Sequence, residues 1–67
     1  MIAITVNGDA RETVDGRTVT ELLTDLGLNP RLVVVEHNRV ILDRNTLSDV
    51  KLRAGDVLEL VHFVGGG

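Results

Sequence analysis

The chain has 67 residues, no cysteine, a formal net charge of −3 and 43% hydrophobic residues. That length holds one domain and one core, and without cysteine there is no disulfide framework, thiolate metal site or Cys nucleophile. A single aromatic residue, Phe63, and no excess of Lys and Arg exclude an ordinary nucleic-acid binder, which needs stacking platforms and cations for phosphates. The longest apolar runs, such as Leu32-Val33-Val34-Val35, fall far short of the ~20 residues of a membrane helix. The first residues alternate and carry no basic lead. A cytoplasmic protein with no membrane partner is the expectation.

Ile2, Ile4 and Val6 fall on one face of a strand by the two-residue period, and Asn7-Gly8 is a hairpin signal. The hydrophobic register favours a three-residue loop that takes in Asp9. It pairs Val6 with Ala10 and brings Val14 onto the face of Ile2, where a two-residue loop would set Asp9, Arg11 and Thr13. Thr18-Val19-Thr20-Glu21 matches a capping box. Val19, Leu22, Leu23 and Leu26 share one helical face, Gly27 suits the left-handed position after the helix, and Pro30 bars continuation. The spacing predicts a helix of about ten residues. Leu32-Val33-Val34-Val35-Glu36 reads as a strand, His37-Asn38-Arg39 as a turn, and Val40-Ile41-Leu42 as a short strand. Residues 43–54 read mostly as loop, pinned to the core by Leu47, Val50 and Leu52. Ala54-Gly55-Asp56 is a turn, and Val57 to Phe63 is the last strand. The order β-β-α-β-β-β predicts an α+β fold, a mixed sheet of four to five strands with one helix across one face. That arrangement is a β-grasp. Residues 1–64 form the expected domain and 65–67 a flexible glycine tail.

One short helix covers one sheet face. The covered set is Ile2, Ile4, Val6, Val33, Val35, Leu58 and Leu60, which leaves Val34, Glu36, Glu59, Val61 and Phe63 outside. Val34, Val61 and Phe63, with Ala3 beside them and Val64 following, form an exposed apolar patch of the kind that marks partner surfaces. The competing expectation is that the loop from Asp43 folds over them. Gly65, Gly66 and Gly67 contribute no burial, and glycine loses the most entropy on ordering. Extended, residues 64–67 reach roughly 13 Å past the sheet at ~3.3 Å per residue. A side-chain-free arm ending in the Gly67 carboxylate can thread a narrow channel into another protein's active site, as group carriers do.

The strand and turn of Ile2 to Gly8, Thr18-Val19-Thr20-Glu21-Leu22-Leu23, Val33-Val34-Val35-Glu36-His37-Asn38 and, above all, Glu59-Leu60-Val61-His62-Phe63-Val64-Gly65-Gly66-Gly67 resemble the ThiS-type sulfur carriers of thiamine biosynthesis. The resemblance spans the whole chain and implies a ubiquitin-like β-grasp. It implies that the Gly67 carboxylate is adenylated by an E1-like (ThiF-type) enzyme and converted to a thiocarboxylate with sulfur drawn ultimately from a cysteine desulfurase. It further implies that this thiocarboxylate donates sulfur to a thiazole synthase (ThiG-type). Many members carry Arg where this chain has His37.

No cofactor is expected on the chain itself, because it has no GxxxxGK[ST] and its glycine run opens no helix. ATP would belong to the adenylating partner. His37 and His62, with no Cys between them, are too few for a metal site. No Ser/His/Asp set or carboxylate pair has catalytic spacing, so the chain is expected to be a co-substrate and not an enzyme. A molybdopterin-synthase small subunit would use the same chemistry on the same fold. A protein modifier joined to lysines and a non-covalent β-grasp interaction module are the readings from other classes.

Overall fold

The computed structural model describes residues 1–63. Strands β1 (Ile2–Val6) and β2 (Asp9–Thr13) form a hairpin, followed by helix α1 (Val19–Asp25) and a 3-10 turn, Pro30–Leu32. Strands β3 (Val33–His37) and β4 (Val40–Ile41) form a second hairpin. A second 3-10 turn, Arg44–Thr46, leads through the long loop to β5 (Val57–His62). The sheet order is β2-β1-β5-β3-β4. β5 lies in the middle, parallel to β1 and antiparallel to β3. One helix across a five-stranded mixed sheet is the expected β-grasp. The boundary expected between residues 64 and 65 lies outside the described residues.

The helix begins where the sequence says. Thr18 caps the Glu21 N–H through its Oγ1 at 3.1 Å, and Glu21 Oε1 accepts from the Thr18 N–H at 2.9 Å. Its end is a Schellman turn around Gly27, at φ 76°. The Leu28 N–H reaches the Leu23 carbonyl and the Gly27 N–H the Thr24 carbonyl, which satisfies two carbonyls the helix leaves open. The helix is therefore seven residues long, shorter than expected, because Leu26 is its cap. Val19, Leu22 and Leu23 bury against Ile4, Val33, Val35 and Leu58, with Leu47 and Leu52 of the long loop closing the core.

The first hairpin departs from its expected register. Val6 pairs with Asp9 across a two-residue Asn7-Gly8 loop, with φ of 50° and 84° at the two turn positions. That turn matches the right-handed twist of the strands. Asp9, Arg11 and Thr13 therefore share the face of Ile4, and Val14 stays 47% exposed. Only Thr13 of the three is buried. β2 is an edge strand, and a seven-residue helix does not reach across it, so polar side chains on that face keep their water.

Candidate functional site

The face of the sheet opposite the helix is built by the period of two. Residues 33, 35 and 58 are buried and residues 34, 57, 59, 61 and 63 are not. Val61 and Phe63 are 56% and 53% exposed, and Val34, half-buried, stands directly across from Val61. The sequence-predicted patch is thus assembled in its centre. Val64, Gly65, Gly66 and Gly67 lie outside the described residues. Ala3 does not belong with the others. β1 runs parallel to β5 with Thr5 beside Val57, and the Ala3 carbonyl accepts from the Gly55 N–H. Val61 is six residues farther along that strand than Gly55, roughly 20 Å at ~3.3 Å per residue.

The long loop leaves Val61 and Phe63 open, and its first residues, with Arg44 and Leu47, border the face only at Val34 and Ile41. Its backbone runs along α1 on the other side. The Val19 and Thr20 N–H groups donate to the Val50 and Leu47 carbonyls, and the Leu52 N–H donates to the Arg17 carbonyl. Ile41 of β4 adds to the open face at 69% exposed, opposite Glu36. Glu36 in turn stands directly opposite Glu59. The Phe63 N–H donates to the Leu32 carbonyl and the Asn38 N–H to the Val57 carbonyl. These flanking bonds make Glu36 and Glu59 a hydrogen-bonded rung, with Cα atoms about 5.5 Å apart. Among the described residues Arg17 forms an ion pair with Asp25, and the His37 ring is hydrogen-bonded to Asp56. Neither glutamate forms an ion pair with a described residue.

Two asparagines hold β5 in this position, and sequence reasoning treated both only as turn residues. The Asn7 N–H donates to the Leu58 carbonyl. Its carboxamide then serves as one more peptide unit of the ladder, Oδ1 accepting from the Leu60 N–H at 2.7 Å and Nδ2 donating to the Leu60 carbonyl at 3.3 Å. Asn38 Oδ1 accepts from the Val57 N–H at 2.9 Å, and its Nδ2 donates to Asp56 Oδ1 at 3.1 Å. His37 Nε2 meets Asp56 Oδ2 at 2.8 Å, and the Arg53 N–H donates to the same oxygen at 2.9 Å. Burial pushes the Asp56 carboxyl up. The hydrogen bonds from His37, Arg53 and Asn38 outweigh burial and hold it below its ordinary value. The signal in the sequence was asparagine at the first position of each two-residue turn next to the last strand.

His62 is exposed at the end of β5. No group of three or more His, Asp or Glu among the described residues could hold a metal ion, and no helix among them is long and apolar enough to cross a membrane.

The model of the ThiS family matches residues 4–67. The sulfur carrier protein ThiS of Bacillus subtilis is 40% identical, with 92% of this chain and 96% of that protein covered. A thiazole synthase of Magnetococcus marinus is 41% identical over 96% of this chain, and the chain spans 20% of that protein's length. The crystal structure of the thiamine biosynthesis protein ThiS from Geobacter metallireducens superimposes with a TM-score of 0.84 at 33% identity, covering 98% of this chain and all of that one. With the family model matched over residues 4–67 and a relative 40% identical and covered over 96% of its length, the chain belongs to the ThiS family.

Proposed function

We propose that this chain is a sulfur carrier for thiazole formation in thiamine biosynthesis, acting in the cytoplasm with Gly67 as the sulfur-bearing residue. The observation that carries the reading is that the central strand β5 presents the exposed Val61, with the exposed Phe63 just after its end, immediately before Val64, Gly65, Gly66 and Gly67 in the sequence. A partner that covers Val34, Val61 and Phe63 meets the residues that lead, in sequence, into the glycine run.

The chemistry follows from what a carboxylate lacks. It is a poor electrophile until one oxygen leaves easily. An E1-like enzyme with bound ATP would join the Gly67 carboxylate to AMP and release pyrophosphate. The outer sulfur of a persulfide, charged by a cysteine desulfurase, attacks the acyl carbon and AMP departs, leaving an acyl disulfide. A second thiol attacks the sulfur on the partner's side of that bond. The new disulfide stays with the partner, and the thiocarboxylate stays on Gly67. Thiazole synthase then takes the sulfur. The chain itself supplies an unhindered acyl terminus and a docking face, and its partners supply the nucleotide site, the persulfide and the catalytic groups.

The test is intact-protein mass spectrometry after incubation with ATP, the adenylating enzyme and a cysteine-fed desulfurase. Exchange of one oxygen for sulfur, mapped to Gly67, is the expected outcome. An unchanged mass beside an enzyme active on another carrier would overturn the reading. Deleting Gly66 and Gly67 is expected to abolish the gain and leave thermal unfolding of the domain unchanged.

A further inference from the structure

The outer face sets a condition on what docks there. Glu36 and Glu59 form one rung of the β3–β5 pair, and Val34 and Val61 form the rung beside it. Ile41 stands across from Glu36 on β4, and Val57, 44% exposed, lies on the far side of Glu59 along β5. The two carboxylates are therefore set into an apolar surface. Like charges directly opposed across a sheet destabilise the free protein, and neither glutamate is in an ion pair with a described Lys or Arg. A partner that covered this face with apolar groups alone would strip water from two unpaired charges, at a cost that outweighs the apolar contact.

We infer that the enzyme docking on Val34, Val61 and Phe63 brings an arginine into the Glu36–Glu59 rung. The inference rests on the carrier reading and names the chemistry of the partner at that site. A guanidinium suits the position better than an ammonium. Its planar fork offers donors to two carboxylates side by side, and its weaker hydration lets its faces lie against Val57 and Val61. The charge pair then acts as a gate on partner choice, since an apolar surface without the cation is rejected.

The experiment uses the whole chain with the E1-like adenylating enzyme and the thiazole synthase of the same organism as probes, and compares Glu36→Gln, Glu59→Gln and the double variant. Glu12→Gln serves as the control, because Glu12 pairs with Ala3 at the distant end of the same face. Calorimetric titration at low and high salt reads affinity, thermal unfolding reads stability, and the sulfur mass gain reads the carrier reaction. The expected result has opposite signs. The double variant melts higher, by about 1–4 °C from relief of the repulsion, yet binds at least about tenfold more weakly with a flatter salt dependence. The control changes neither. Affinity that holds in the double variant while wild type binds and gains sulfur overturns the arginine and leaves the carrier intact. So does affinity that falls only in step with a lower melting temperature. A wild-type chain that binds neither enzyme and gains no sulfur overturns the carrier reading, and the arginine with it.

Discussion

Asparagine stands first in both two-residue hairpin turns, with φ of 50° at Asn7 and 49° at Asn38. It is the non-glycine residue that best tolerates that region, and each carboxamide is spent on β5. Replacing Asn7 with glycine keeps the turn and deletes the bonds to Leu60. The expected result is loss of hydrogen-exchange protection at the Leu60 amide and a decrease of about 1 kcal/mol in stability, with the hairpin shifts of β1 and β2 preserved. Retained protection would show that Leu60 needs no partner on that side. Asp56 makes the second residue-scale prediction. Its carboxyl is held below its ordinary 3.8, so its contribution is complete above that value and is lost as pH falls through the lowered native one. Thermal melts from neutral pH down to pH 2 are expected to show an acid-sensitive limb that Asp56→Asn flattens, starting from a lower melting temperature at neutral pH. An unchanged slope would assign the limb to other carboxylates.

At the scale of elements, α1 is seven residues long, too short to persist without its caps and its buried face. Thr18→Ala removes the acceptor for the Glu21 N–H and is expected to cost about 1 kcal/mol, read as a melting temperature lower by about 4–8 °C. A loss under a tenth of that would mean that the core alone holds the helix. The β3–β4 turn carries its own cost. Arg39 has φ of 70°, a conformation that costs an L side chain roughly 1 kcal/mol. Arg39→Gly is expected to leave chemical denaturation unchanged or shift its midpoint upward, the relief of strain offsetting the freer unfolded chain. A downward shift would mean that the Arg39 side chain holds a stabilising contact. The β1–β2 hairpin shows how an element can override a side-chain pattern. Asn7-Gly8 prefers the two-residue turn so strongly that Asp9 and Arg11 accept the helix-side face, in a groove with Val6, Leu26, Leu28 and Leu60.

For the molecule as a whole, the central place of β5 joins the core to the proposed chemistry. Leu58 is fully buried between α1 and the sheet, and Val61 on the same strand and Phe63 just past its end face solvent. A substitution can therefore separate folding from docking. Phe63→Asp is expected to unfold at the wild-type temperature, because Phe63 covers no core residue, and to bind the adenylating enzyme and the thiazole synthase at least about tenfold more weakly. Leu58→Ala on the same strand is expected to cost about 2–5 kcal/mol of stability through the cavity it leaves. Wild-type affinity for Phe63→Asp would remove this face from the docking surface.

What the sequence determined by itself was local and periodic. The capping box at Thr18, the stop at Gly27, the inward set of Ile4, Val33, Val35 and Leu58 and the outward Val61 and Phe63 all follow from spacings within a few residues, and the family resemblance lay in the same stretches. The rest depended on neighbours far apart in the chain. The place of Asp9 on one face or the other turned on twist against hydrophobicity, and backbone twist prevailed because β2 is an edge. Ala3 and Val61 carry the same parity, but only the parallel pairing of β1 with β5 puts them at opposite ends of the sheet. The carboxamide of Asn7 on Leu60, 53 positions away, and the opposition of Glu36 to Glu59 arise only when strands meet in register. That register is a property of the assembled sheet, because it is set by the joint burial of five strands and one helix.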